Sequence, residues 1–213
     1  ERFAPDHPAK SGVALGPRET PGLVGEEVAV HVAQADDLLP GDGSRDDLVK
    51  AMIRVDHAGE YGAKRIYDGQ LAVLGDSPSA RVIAHMADQE QRHLDHFDDL
   101  LVERRVRPTL LSPVWHVAGY ALGVGSALLG EKAAMACTEA VESVIDEHYA
   151  DQADKLGDDE AELRSTVEQF RAEEQEHHDT ALEHGAAEAP AHDLLTGAVK
   201  TGTRLAIWLS TRV

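Results

Sequence analysis

Two short strings in this chain pair an acid with a histidine three residues on: Glu90-x-x-His93 and Glu174-x-x-His177. Positions i and i+3 of an α-helix share a face, so each string offers a carboxylate and an imidazole to one ion. One such pair on a helix rich in alanine and glutamate is ordinarily a solvated face. Here each pair has a second acid upstream. Glu60 precedes Glu90 by 30 residues, and Glu142 precedes Glu174 by 32. That separation sets two residues at equal depth on the arms of a helical hairpin. Within Glu173-Glu174-Gln175-Glu176-His177-His178, Glu174 alone is an acid followed by a histidine at that spacing. The upstream positions offer more choice: Asp56 and His57 beside Glu60, and Glu139, Asp146, Glu147 and His148 around Glu142. The hairpin spacing selects Glu60 and Glu142.

The set Glu60, Glu90, His93, Glu142, Glu174 and His177 supplies four carboxylates and two imidazoles. Such donors suit two iron ions with positions left open for dioxygen. Four buried carboxylates without a cation take up protons or cost many kcal/mol. Two Fe(II) ions neutralise them. Tyr149 follows Glu142 by seven residues and returns to the same helix face, with His148 beside it. These two are read as groups that support the ligands or relay electrons to them.

Four helices must carry these residues. The first is expected over 46–74, capped by Asp46 or Asp47, with Leu48, Met52, Ile53, Val55, Ile66, Leu71 and Leu74 inward and Gly75 at its end. Asp76-Ser77-Pro78 turns the chain into a second helix over 78–105, whose inward residues are Val82, Ile83, Met86, Leu94, Phe97, Leu100 and Leu101. A third spans 131–155, and a fourth runs from 158–160 to 184, where Gly185 stops it. Each half of the chain is thus a helix with one acid, a turn, and a helix with an acid–histidine pair.

Between the halves lies 108–130, a run of 23 residues without Asp, Glu, Lys or Arg. Its length suffices to span a bilayer. A single span, however, would put the two halves of the ligand set on opposite sides of the membrane. The run is read instead as the long crossover that makes helices two and three parallel, with an apolar side that lines a channel or dips into lipid. An amphipathic helix over 191–211 follows the bundle. Arg104, Arg105 and Arg107 precede the run, and Lys200, Arg204 and Arg212 stand in the last helix. Cations thus gather beside the apolar surface and suit anionic lipid.

Composition sets limits. Basic residues number 20 and acidic residues 39, for a net charge of −19, which excludes a general nucleic-acid partner. Aromatics are 4% of the chain, a mixture that favours helices over sheets. The single cysteine, Cys137, allows no internal disulfide and no thiolate-based metal site. Residues 1–45 are acidic and rich in proline and glycine, and are expected to form a disordered extension ahead of one domain over 46–213. They match neither a secretory signal nor a transit peptide.

The strings around these residues resemble the demethoxyubiquinone hydroxylase family of ubiquinone biosynthesis. The likeness is carried by Val55-Asp56-His57-Ala58-Gly59-Glu60-Tyr61-Gly62-Ala63 with Arg65-Ile66-Tyr67, and by Asp88-Gln89-Glu90 with His93. It continues through Arg105-Val106-Arg107-Pro108-Thr109, Ala134-Met135-Ala136-Cys137-Thr138, Ala140-Val141-Glu142 and Glu176-His177-His178-Asp179, and covers about 48–213. The resemblance implies an all-α, ferritin-like four-helix bundle with an added C-terminal amphipathic helix. It implies a di-iron monooxygenase, with two iron ions per chain, that hydroxylates the ring of demethoxyubiquinone or its quinol with dioxygen and two electrons, in the penultimate step of the pathway. NADH is the implied electron source. The chain carries no G-x-G-x-x-G unit for a nicotinamide nucleotide, so electrons arrive by another route, through the quinone itself. Membrane lipid, a lipid-binding accessory protein of the pathway and a second copy of the chain are the implied partners. The implied location is the cytoplasmic face of a bacterial inner membrane, or the matrix face of the mitochondrial one. The alternatives sharing this ligand logic are a ferroxidase or iron-binding protein, and another di-iron oxygenase.

Overall fold

The computed structural model describes residues 43–213, so most of the extension expected over 1–45 lies outside the described residues. Six α-helices follow in order: α1 (Arg45–Leu74), α2 (Pro78–Glu103), α3 (Ser112–Leu128), α4 (Glu131–Lys155), α5 (Ala161–Glu183) and α6 (His192–Ser210). No strand occurs among the described residues. The architecture is the all-α bundle the sequence predicts.

Local chemistry sets the helix ends. Ser44, not Asp46 or Asp47, caps α1: its Oγ accepts the Asp47 amide at 3.1 Å, and Asp47 Oδ2 accepts the Ser44 amide at 3.1 Å. This reciprocal pair satisfies two donors that the first turn would otherwise leave open. Asp47 is therefore the acidic partner of the cap rather than the cap itself. Ser77 caps α2 by accepting from the Ala80 amide, with Pro78 at the first helical position, where its missing N–H costs nothing. The second helix stops at Glu103, two residues short of expectation, because Arg105 takes φ 54° and turns the chain.

The 108–130 run is itself helical. It forms α3, which packs chiefly along α1. Glycines make that approach possible. A Cβ on Gly123 would lie 2.0 Å from the Ile66 carbonyl oxygen, and one on Gly69 would lie 2.3 Å from the Tyr120 carbonyl oxygen. Gly130, at φ 112°, then reverses the chain into α4.

The core divides into two apolar clusters. One contains Ile53, Phe97, Val141, Ile145, Val167 and Phe170; the other contains Ile83, Met86, Ala134, Met135 and Ala181. On each of α1, α2, α4 and α5 the predicted ligands lie in sequence between a residue of one cluster and a residue of the other. The polar site is therefore clamped from both sides. Truncating a wholly buried ring such as Phe97 to alanine costs about 3–5 kcal/mol. Most inward positions named from periodicity are buried, but Leu48 is exposed and its neighbour Val49 faces inward instead. The Ser44 cap fixes the helix phase that makes this so.

Candidate metal centre

Each of the bundle's four long helices contributes to one buried polar cluster. α1 brings Glu60, α2 Glu90 and His93, α4 Glu142, and α5 Glu174 and His177. None of the six is more than 2% exposed. Their donor atoms form two groups, each with all atoms within 4.8 Å of one another: Glu60, Glu90, His93 and Glu174, and Glu90, Glu142, Glu174 and His177. Glu90 and Glu174 belong to both. Each acid–histidine pair thus places its glutamate in both groups. The histidines aim Nδ1 inward. His93 Nδ1 lies 3.1 Å from Glu174 Oε1 and 3.4 Å from Glu60 Oε2; His177 Nδ1 lies 3.1 Å from Glu90 Oε1 and 3.2 Å from Glu174 Oε2.

The donor set fits a pair of cations. Both oxygens of Glu90, Oε2 of Glu142, Oε1 of Glu174 and Nδ1 of His93 are buried without a hydrogen-bond partner. Native interiors rarely leave such groups unpaired. Titration behaviour shows the same demand. Burial, then the Glu174 and Glu60 charges, push Glu90 well above the ordinary carboxylate range; burial and Glu174 do the same to Glu142. Burial disfavours a charged His93, but the Glu174 and Glu60 carboxylates overcome it and raise its pKa to about 12. Burial also works against a charged Glu174, yet His177 and His93 hold it below the usual range. Without a cation, protons occupy places where positive charge is wanted.

A second set of contacts holds these side chains in place. The Tyr149 hydroxyl donates to Glu60 Oε1, reaching from α4 to α1 rather than to Glu142 on its own helix. The Tyr67 hydroxyl donates to Glu142 Oε1 at 2.5 Å, reaching the other way. Sequence reasoning singled out Tyr149 and missed Tyr67. The signal was present: Tyr67 follows Glu60 by seven residues, as Tyr149 follows Glu142. His148 touches no ligand. Its Nε2 lies 3.2 Å from Asp56 Oδ1, which also accepts from Gln152 Nε2 at 2.6 Å, so this trio forms a polar layer one turn from Glu60. The outer nitrogens of the two histidines are also engaged: His93 Nε2 lies 3.1 Å from Glu173 Oε2, and His177 Nε2 lies 3.2 Å from Gln89 Oε1.

The rejected alternatives lie elsewhere. His57 pairs with Asp98, Glu139 with His192 of α6, Asp146 with Arg171, and Glu147 with Arg204. Cys137 is buried in the core, and burial pushes its thiol up to about 12.

An apolar cavity of about 340 Å³ adjoins the helices that carry Glu60 and Glu142. α1 lines it with Val55, Gly59, Gly62 and Ile66, α3 with Trp115, Gly119 and Leu122, α4 with Val141 and Ile145, and α6 with Leu205, Ala206 and Ile207. Trp115 Nε1 donates to Ser210 Oγ at 2.9 Å, tying α3 to α6 at its rim.

Comparison with known proteins adds independent findings. The family model described as ubiquinone biosynthesis protein COQ7 matches residues 47–210. The 3-demethoxyubiquinol 3-hydroxylase of Rhodospirillum rubrum is 56% identical over 192 residues, covering 88% of this chain and 91% of the relative. The mitochondrial NADPH-dependent 3-demethoxyubiquinone 3-hydroxylase of Homo sapiens is 52% identical over 169 residues, 78% of each chain. The mitochondrial 5-demethoxyubiquinone hydroxylase of Saccharomyces cerevisiae is 42% identical over 179 residues, covering 76% of this chain and 77% of the relative.

Proposed function

Because the chain belongs to the COQ7 family of ubiquinone biosynthesis proteins, we propose that its six-residue centre holds two iron ions and hydroxylates the ring of a 3-demethoxyubiquinol beside them. The chain is a 3-demethoxyubiquinol 3-hydroxylase, an oxidoreductase. A ring C–H becomes C–OH, the second atom of dioxygen leaves as water, and two electrons and two protons are consumed. Iron, when bound, supplies the activation of dioxygen and the redox capacity that side chains lack. The observation that carries the reading is the convergence of four buried carboxylates and two buried imidazoles from four helices, with unpaired oxygens turned inward.

The chain's own residues do the rest. Glu60, Glu90, His93, Glu142, Glu174 and His177 would hold the ions, Glu90 and Glu174 belonging to both donor groups. Tyr67 and Tyr149 hold Glu142 and Glu60 by hydroxyl donation across the bundle. Tyr149 would support the centre through Glu60, whereas His148 reaches only Asp56, one turn away from it. The apolar walls exclude water from the reacting ring. The cavity between α1, α3, α4 and α6 accepts part of the substrate's isoprenoid tail. A ferroxidase with the same ligands would have no use for such a cavity. Electrons come from a reduced nicotinamide nucleotide. NADH is the donor expected from the sequence, while the names of the mitochondrial relatives carry NADPH, and both donate hydride.

The substrate is lipid-soluble, so the chain works at a membrane surface. Among the described residues no helix is long and apolar enough to cross a membrane. Instead Val114, Val117 and Leu128 of α3, Leu194, Leu205 and Trp208 of α6, and Leu110 between α2 and α3 expose apolar side chains. Of the cations expected beside them, Arg105 and Arg107 are exposed, whereas Arg104 is held by Glu160 and Arg204 by Glu147. Fewer free charges than the sequence suggests therefore face lipid, and apolar contact carries more of the binding.

The test is turnover. The full chain, loaded with Fe(II) and given a demethoxyquinone, NADH or NADPH and dioxygen, is expected to yield a product heavier by one oxygen atom, with 18O incorporated from the gas. Retention of iron with no oxygen insertion under either donor would reject the hydroxylase mechanism.

A further inference from the structure

The two halves of the centre are built alike but not equally charged. Glu60 and Glu142 correspond, as do Tyr67 and Tyr149, at a separation of 82 residues. Glu90 and Glu174, and His93 and His177, correspond at 84. The same offsets carry Gln89 onto Glu173 and Asp56 onto Thr138. Where the halves match, the six site residues are the same; where they differ directly behind the two histidines, the acid is on one side.

The outer nitrogen of His93 meets the carboxylate of Glu173 at 3.1 Å, whereas that of His177 meets the amide oxygen of Gln89 at 3.2 Å. Both histidines are at most 1% exposed, and both turn Nδ1 toward the shared glutamates. A carboxylate behind a ligating imidazole makes it a stronger donor and adds local negative charge; a neutral amide only orients it. Arg92 Nη2 offsets part of the Glu173 charge at 3.7 Å, but its side chain is 65% exposed and its effect is screened by water. Asp56 adds a further buried acid one turn before Glu60, where the other half has Thr138. The acid that meets a ligating histidine from behind thus stands at the position bounded by Glu60 and His93, while the buried acid one turn before Glu142, Glu139, faces His192 of α6 instead.

We propose that the two ion positions are inequivalent, that the position bounded by Glu60 and His93 fills first, and that Glu173 is the positioning residue that sets this order through His93. The inference rests on the metal-centre reading and concerns cation binding alone, so it is measured without turnover.

The experiment titrates the metal-free full chain with Fe(II) under argon at fixed pH and resolves two stepwise affinities by calorimetry. Unequal steps do not decide the matter, because a second cation always meets the charge of the first. The variants decide it. Glu173→Gln is expected to weaken the first step, by about tenfold or more, within the range seen when such outer partners are lost. Gln89→Glu is expected to tighten the second step. If the positions were equivalent, the first ion would move to the intact half. Glu173→Gln would then weaken the second step and Gln89→Glu would tighten the first, and that pattern overturns the proposal. Helical circular dichroism checks each variant. Should Glu173→Gln lose its helical signal, Gln89→Glu decides alone: a tighter second step supports the order, and an unchanged one overturns it. A wild-type chain that takes up no Fe(II) overturns the metal centre itself and this inference with it.

Discussion

Gly123 and Gly125 lie on the same helix two residues apart, and the same substitution is expected to act on them in opposite directions. At Gly125 a Cβ meets nothing within 4 Å, and the residue is exposed. Gly125→Ala therefore gains only helix propensity, about 0.8–1 kcal/mol in an interior position. At Gly123 the added carbon lies 2.0 Å from the Ile66 carbonyl oxygen, while ordinary contact begins at 3.4 Å. The obstacle is α1 backbone, so no rotamer change relieves it. α3 must lift from α1 by roughly 1 Å, and close-packed interiors resist such a shift. Overpacking of this kind costs about 1–3 kcal/mol and at times more, which exceeds the propensity gain. For a chain of this length each kcal/mol moves the melting temperature by about 2–4 °C. Gly123→Ala should thus melt several degrees lower and Gly125→Ala a few degrees higher, read by circular dichroism on the same preparation. Two variants that both rise, or both fall alike, would refute the claim that glycine packing seats α3 on α1.

Three further outcomes are expected. Tyr67→Phe removes the hydroxyl that donates to buried Glu142 and should cost about 1–3 kcal/mol, seen as a lower melting temperature with helical content kept; no change would mean the carboxylate does not depend on that donor. Fe(II) uptake should release protons, because burial and neighbouring acids push Glu90 and Glu142 well above the ordinary carboxylate range and the Glu174 and Glu60 carboxylates raise His93 to about 12. Each proton must leave before a cation binds, so affinity rises with pH; calorimetry in buffers of different ionisation heat measures this, and a pH-independent affinity contradicts it. Val117→Glu, at a side chain 66% exposed on α3, should weaken binding to anionic liposomes by about tenfold or more with iron content unchanged, and full liposome retention would remove α3 from the membrane contact.

Much of the site could be read from the sequence because helix geometry is periodic. A spacing of three residues fixes a shared face, and a spacing of about 30 fixes equal depth across a hairpin, so Glu60, Glu90, His93, Glu142, Glu174 and His177 could be named without coordinates. Contacts between helices are not periodic along one chain, and there the reading failed. A seven-residue spacing puts Tyr149 on the face of Glu142, but its hydroxyl crosses to Glu60 on α1. Tyr67 was passed over although it occupies the equivalent place in the first half. That the 108–130 run forms a helix seated on α1 could not be read from the sequence, because it depends on backbone approach at Gly69, Gly119 and Gly123 rather than on side-chain pattern. The Ser44 cap was missed because two acids next to it are equally good candidates by residue type.

Anomalous diffraction at the iron edge, from crystals of the full chain loaded with Fe(II), tests the central claim most directly. Two peaks are expected inside the bundle, one bounded by Glu60, Glu90, His93 and Glu174 and the other by Glu90, Glu142, Glu174 and His177. Iron found only at surface acids, with the six buried side chains bonded to protons and to one another, would contradict it.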